Sequence, residues 1–219
     1  MLRIVGICGS RVKDGNMEAF LAKALSHAGG QDGVRTELIP LHDKRIEGCT
    51  QCNWCVRKQS DGKFCVEEDG MSEIYPKLVE ADGIILASPA HFGRLSGHLA
   101  NMIDRLRVFV HGNVYKGGLK DKAGGAMAVA YFRGGGVETT LASINLFFLT
   151  VQMIIASPPM SQQGAAAFTT RDGKGRFEKE PRHIVLEDDY GVASATRLAG
   201  RVVELARLVQ AGRQALRSG

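Results

Sequence analysis

The sequence predicts an α/β fold in which a parallel sheet is covered on both faces by helices. Two observations predict it. Short, mostly apolar strand runs alternate with amphipathic helical patterns, and three of those runs empty into unusual loops that open onto a helix. Such alternation buries a parallel sheet between two helical layers, and right-handed crossovers leave few topologies for it. The predicted strands cover residues 2–8, 34–40, 82–88, 124–131 and 151–156, and the predicted helices 16–28, 71–80, 95–109, 137–149 and 190–214. Two stretches break the rhythm, 42–69 and 158–189, and no internal repeat is visible.

The first element is Leu2-Arg3-Ile4-Val5-Gly6-Ile7-Cys8, an apolar run of the kind found in buried parallel strands. The polar loop Gly9-Ser10-Arg11-Val12-Lys13-Asp14-Gly15-Asn16 follows, then a helix with apolar Phe20, Leu21, Ala24 and Leu25. The first N–H groups of a helix lack an intrahelical partner and its dipole favours an anion there, so strand, loop and helix start form a phosphate-binding geometry. Ser10 and Asn16 add side-chain donors, Arg11 adds charge, and Met17 and Glu18 stand in the first helical turn. The loop is neither the glycine-dense dinucleotide fingerprint nor a Walker loop. It suits a single phosphate monoester better than a pyrophosphate.

Two further strands end in comparable loops. Ala81 to Ser88 empties into Pro89-Ala90-His91-Phe92-Gly93, ahead of a helix through Leu99, Met102, Ile103 and Leu106. Ala123 to Ala130 empties into Tyr131-Phe132-Arg133-Gly134-Gly135-Gly136, ahead of a helix with Leu141, Ile144, Leu146 and Phe147. Ligands of open α/β sheets bind beyond the carboxyl ends of the strands, near the reversal of strand order. The three loops therefore describe one expected site.

These segments resemble the flavodoxin-like NAD(P)H-dependent FMN reductases, and within them the iron–sulfur flavoproteins. The resemblance rests on Gly9-Ser10-Arg11 with Asn16, on Asp69-Gly70-Met71 leading into Ala81-Asp82-Gly83-Ile84-Ile85, on Ser88-Pro89-Ala90-His91-Phe92 with Asn101-Met102-Ile103-Asp104-Arg105, and on Gly134-Gly135-Gly136 with Glu138-Thr139-Thr140-Leu141. It covers roughly residues 1–155 and resumes at Glu187-Asp188-Asp189. It implies a doubly wound five-stranded sheet in the order 2-1-3-4-5, with bound FMN and NAD(P)H as co-substrate. Ser10, Arg11, Asn16, Met17, Glu18, Pro89, Ala90, His91, Phe92, Gly93, Arg133, Gly134, Gly135 and Gly136 are then the cofactor-binding candidates. Family members usually carry Tyr where His91 stands, and Thr or Ser where Met17 stands.

The first break in the rhythm holds Cys49, Cys52, Cys55 and Cys65, a C-x2-C-x2-C-x9-C pattern flanked by Lys44, Arg45, Arg57 and Lys58. The fifth cysteine, Cys8, reads as a small buried apolar residue of the first strand. In a cytosolic chain such a loop is a metal or redox site more often than a disulfide frame. Closely spaced thiolates suit a [4Fe-4S] cube, whereas zinc sites more often use two separated pairs. The resemblance implies a cluster that exchanges electrons with FMN. Reduced thiols, a disulfide and zinc stay open alternatives, and Trp54 either covers a cluster or packs at a subunit interface.

Hydride transfer to a flavin needs no side-chain nucleophile, because the cofactor carries the reaction. The protein holds the ring and supplies positive potential as it is reduced. Loop 89–93 is the expected ring grip, stiffened by Pro89, with Gly93 permitting close approach. Arg133 and the N–H groups of Gly134 to Gly136 form an anion-accepting nest. His91 either contacts the flavin or faces solvent, and Asp104-Arg105 reads as a structural ion pair or subunit contact.

With 219 residues, 44% of them hydrophobic, the chain suits a single domain with a full core. The net charge of +5 is mild, and Arg197, Arg201, Arg207, Arg213 and Arg217 read as the solvated face of a long helix rather than a nucleic-acid patch. No signal peptide or membrane-length apolar run is evident, so a cytoplasmic protein is expected. The second break, 158–189, reads as a structureless insertion, either a flap near the flavin or an arm around a neighbouring subunit. The expected activity is FMN-mediated electron transfer from NAD(P)H or a protein donor to a small acceptor such as a flavin or quinone, in a homodimer or homotetramer. The alternative is a non-enzymatic electron-transfer or redox-sensing flavoprotein with a thiol/disulfide switch.

Overall fold

A computed structural model gives the architecture and describes residues 1–218 apart from 160 and 162. In chain order the elements are β1 (Leu2–Cys8), α1 (Asn16–Gly29), β2 (Val34–Pro40), α2 (Trp54–Arg57), α3 (Met71–Glu80), β3 (Gly83–Pro89) and α4 (Gly97–Arg105). There follow α5 (Val108–His111), β4 (Ala123–Ala130), α6 (Val137–Thr150), β5 (Ile154–Ile155), β6 (Ala165–Phe168) and α7 (Asp189–Ser218). The strands pair in parallel in the order β2-β1-β3-β4-β5, as the resemblance implies, and β6 also pairs with β4.

Alternation along the strands divides the core in two. Val5 and Ile7 of β1, with Ile84 and Leu86 of β3, face the layer of α3, α4 and α6. Ile4 and Cys8, with Ile85 and Ala87, face α1 and α7. Successive side chains of a strand point to opposite faces, so wholly apolar strands require a helical cover on each side.

Three elements depart from the sequence reading. The fifth strand position is split. β5 keeps two residues, opposite Ala123 and Gly124, and β6 takes the same edge farther along, opposite Met127 to Ala130. β6 lies inside the segment expected to be structureless, which also holds short 3-10 turns at Arg171–Gly173 and Ile184–Glu187. Its sequence, Ala-Ala-Ala-Phe, has no β-branched residue and carries little strand signal by itself. The helix expected over 95–109 is broken into α4 and α5, with Leu106 and Arg107 between them. The last helix runs farther than expected, and its arginines serve as a surface: Arg207 and Arg213 donate to the carbonyls of Asp32 and Lys120.

At the amino end of the sheet, the ammonium of Lys122 donates to the carbonyls of Val79 and Ala81 at the end of α3. Burial pushes its pKa down from 10.5 to about 8. Between those values the unfolded chain holds a proton that the folded chain lacks, so this residue makes stability rise with pH across that window. Urea midpoints of the natural protein should therefore gain on those of Lys122→Met as pH is raised from about 8 to 10.5. Parallel pH profiles would remove the residue from the titration.

Candidate functional site

Beyond the carboxyl ends of β1, β3 and β4 lies a cavity of about 350 Å³. Its first wall is the loop after β1. Gly15 precedes α1 and makes no side-chain cap, which leaves the first N–H groups of the helix for an anion. Ser10 Oγ accepts from the Val12 N–H at 3.1 Å, and Asn16 Oδ1 accepts from the Val185 N–H at 3.0 Å, so the Asn16 amide nitrogen is the end left to donate. The Met17 side chain is buried in the core under α1, so this residue offers only its N–H. Glu18 accepts from the Asp14 N–H at 3.1 Å and folds the loop onto the helix, while Arg11 is exposed.

The second wall is the loop after β3, and Ser96 fixes it. Its hydroxyl donates to the Gly9 carbonyl at 2.7 Å and accepts from the Leu99 N–H at 3.2 Å, capping α4 while tying the first loop to the second. His91 and Arg94 exchange backbone hydrogen bonds across Phe92 and Gly93, whose φ values of 51° and 74° suit a tight hairpin turn. Phe92 projects from the tip, fully exposed. Pro89, Ala90 and His91 line the cavity.

The loop after β4 meets that hairpin. Gly136 has φ 89°, and a Cβ there would stand 2.4 Å from Gly93 Cα. Thr139 Oγ1 donates to the Gly93 carbonyl at 2.5 Å. Arg133, however, turns elsewhere. Its Nε donates to the Asp172 carbonyl at 2.9 Å, its guanidinium lies 5.9 Å from the Phe168 ring, and it lines a neighbouring cavity of about 700 Å³ with Glu187 and Asp188.

The sequence reading missed Thr169 and Arg182, both on the first cavity. Arg182 donates to the carbonyls of Asp14 at 3.0 Å and Lys13 at 3.3 Å and pairs with the Asp14 carboxylate at 3.1 Å. His183 reaches the same carboxylate at 3.1 Å. Segment 158–189 thus lies across the first loop. The adjacent basic residues Arg182-His183 were its only sequence signal.

A second site lies in the cysteine loop. Cys49, Cys52, Cys55 and Cys65 line one small cavity together with Arg105 and Arg107. All five cysteines have free sulfurs, and Cys8 is buried in β1 as expected. Among the described residues no three His, Cys, Asp or Glu side chains are grouped so as to hold a single metal ion. Burial pushes the Cys55 thiol up, and the Arg107 guanidinium pulls against that shift. Trp54 opens α2, and Lys63 Nζ lies 5.8 Å from its ring, a contact within the loop itself.

Arg105 organises this loop. The Asp69 carboxylate takes both terminal nitrogens, at 2.7 and 3.3 Å, and the carbonyls of Glu47 and Glu67 accept at 3.1 and 3.4 Å. Burial opposes its charge, but the Asp69 bond overrides it and holds the pKa above the usual arginine value. The partner expected from sequence, Asp104, is exposed; the ion pair is with Asp69. His98, Asn101 and Arg105 share one face of α4 and bond the carbonyls of Leu41, Ile46 and Glu47.

Sheet order and strand-end loops define a flavodoxin-like reductase. The chain belongs to the NADPH-dependent FMN reductase family, whose model matches residues 2–165, and is a flavin oxidoreductase that works with FMN and NAD(P)H. It is 36% identical to an iron–sulfur flavoprotein of Methanocaldococcus jannaschii across 95% of this chain and the whole of that protein. It is 29% identical to an iron–sulfur flavoprotein of Methanosarcina thermophila across 97% of this chain and 99% of that one. Among solved structures, RosB with a bound 8-demethyl-8-formylriboflavin-5'-phosphate intermediate shares the fold at TM-score 0.73 and 16% identity, covering all of this chain and 87% of that one. Among the described residues no helix is long and apolar enough to cross a membrane.

The contact between the second and third loops can be tested directly. Gly136→Val forces a β-branched residue into a left-handed conformation against Gly93, a strain on the order of 1–3 kcal/mol. At about 2–4 °C per kcal/mol for a chain of this size, a lower Tm together with loss of bound flavin is expected. A variant that keeps both would show that the loops need not touch.

Proposed function

We propose that the protein passes electrons between NAD(P)H, FMN in the strand-end cavity and a [4Fe-4S] cluster on Cys49, Cys52, Cys55 and Cys65, ending on a small acceptor such as a flavin or quinone or on a redox protein. The observation that carries this reading is the convergence of all four cysteines on one cavity, at the far end of the helix whose start closes the strand-end cavity. The names of the relatives over nearly the whole chain support it. Bound FMN supplies the hydride acceptor, and a cluster supplies a one-electron carrier.

The residues present fit both groups. A cavity of about 350 Å³ is of the size that takes a cofactor. The uncapped start of α1, the donors of Ser10 and Asn16, and the charges of Arg11 and Arg182 suit a phosphate monoester. Pro89 to Gly93 would grip the ring edge with His91 beside it, and Gly134 and Gly136 would offer N–H groups to charge that grows on reduction, while the Gly135 N–H is donated to the Phe132 carbonyl. Arg105 and Arg107 line the cysteine cavity, and each has a buried Nε donor without a partner, a donor set suited to anionic sulfur. Leu146 and Leu149, exposed on α6, favour assembly as a homodimer or homotetramer.

Two measurements test the sites. Asn16→Leu removes a charge-assisted bond to phosphate, worth on the order of 1.5–3 kcal/mol. FMN should bind at least tenfold more weakly and riboflavin about as before; equal losses would take the phosphate away from this loop. Protein purified without air should hold iron and acid-labile sulfide, and Cys→Ala at any of the four positions should lose most of both while flavin stays near one per chain. Cys8→Ala should lose neither. One flavin and no iron would leave the plain reductase, while iron with negligible NAD(P)H oxidation would mark a pure electron carrier.

A further inference from the structure

We infer that Arg105 and Arg107, brought onto one four-cysteine cavity by the break between α4 and α5, set the reduction potential of the group held there, with Arg107 the charge that tunes it. The inference rests on the cluster reading and adds residues outside the cysteine motif.

Geometry comes first. Each helical residue turns the chain by about 100°, so two side chains two apart on a continuous helix point to nearly opposite sides. Apolar periodicity continues through residues 95–109 and predicts such a helix. Instead α4 stops at Arg105 and α5 starts at Val108, and both arginines line the cavity. Arg105 Nη2 lies 3.5 Å from Cys65 Sγ. Arg107 Nη2 donates to Asn53 Oδ1 at 2.6 Å, one residue before the short helix that carries Cys55.

Charge separates their roles. Arg105 is already matched by the Asp69 carboxylate at 2.7 Å and holds both legs of the loop. Arg107 bonds the neutral Asn53 side chain, so its charge bears on the cavity with less local compensation. Glu67 is the only acid among the residues lining that cavity. Each arginine also keeps a buried Nε donor without a partner. Buried donors are costly unless an acceptor is supplied, and cluster or cysteine sulfur is such an acceptor.

The redox step is the gain of one electron, with no bond formed or broken and no proton moved. The cube and its four thiolates pass from two to three net negative charges. A low-potential chemical reductant supplies the electron in a titration, and reduced flavin supplies it in turnover. A nearby fixed cation stabilises the more negative state more, so it raises the potential.

The test is an anaerobic redox titration of the iron-loaded, FMN-bound protein, followed by electron paramagnetic resonance. Arg107→Gln should shift the one-electron equilibrium at least tenfold toward the oxidised form, a fall of about 59 mV or more, with iron, sulfide and flavin contents unchanged. Arg107→Lys, which keeps the charge, should shift it less than threefold. A fully loaded Arg107→Gln with an unmoved potential overturns the inference and leaves the cluster reading standing. If Arg107→Gln loses its iron, Arg107→Lys decides. Iron and potential retained there support a charge role, whereas loss in both assigns Arg107 to loop packing and overturns the inference. A natural protein that takes up no iron overturns the cluster reading, and this inference with it.

Discussion

The buried guanidinium of Arg105 is the constraint on which the cysteine loop depends. It is almost wholly inaccessible, yet it is charged and meets acceptors from residues 47, 67 and 69. A buried ion pair of this kind adds little net stability over an apolar substitute, but removing one partner is severe because the other charge is stranded. Its effect is therefore geometric. The chain must bring both legs of the loop to α4, or Arg105 has no acceptors. Four cysteines on a polar segment with one short helix of its own are brought to a common cavity in this way.

The opposite end of α4 imposes the matching constraint on the strand-end cavity. Ser96 caps the helix and, through the Gly9 carbonyl, fixes the first loop against the second. Gly136 and Gly93 then bring the third loop in at a distance no side chain tolerates. The three loops sit at ends of adjacent parallel strands because strand order reverses there. Their mutual fit comes from two hydroxyls, of Ser96 and Thr139, and two glycines. Arg182 and Val185 add the fourth side by bonding residues 13 to 16 from far along the chain.

Strands β1, β3 and β4 were legible because each is a mostly apolar run bounded by a turn signal. β2 (Val-Arg-Thr-Glu-Leu-Ile-Pro) carries charge and its place followed from the alternation of elements, and the family resemblance selected the strand order. β6 was not, since three alanines and a phenylalanine have no intrinsic reason to be extended. They are held there by the open edge of β4 beyond β5. The break after Arg105 was hidden because apolar spacing continues across it; the tertiary bonds of Arg105 and Arg107 prevail over local periodicity. Within the candidate site, the loops of residues 10–16, 89–93 and 134–136 announced themselves by composition. The contact of Arg182 with Asp14 spans 168 residues and leaves no local pattern to read. Arg133 was marked by its place in a glycine-rich loop as part of an electropositive element, and its bond to the Asp172 carbonyl of the later segment is a contact that no local pattern announces.

What joins the two sites is a helix rather than a loop. α4 contains nine residues, and at 1.5 Å per residue its axis is on the order of 12–14 Å long. One end carries the Ser96 cap and the other Arg105, and the His98, Asn101 and Arg105 face is bonded to backbone along its length. A helix fixed at both ends and along one side changes length little under thermal motion, whereas loops open locally at low free energy. Electron exchange between the proposed flavin and cluster depends steeply on their separation. In the proposed arrangement that separation would be set by α4, a helix bonded at both ends, while the exposed Phe92 hairpin and the segment lying over residues 13–16 face solution.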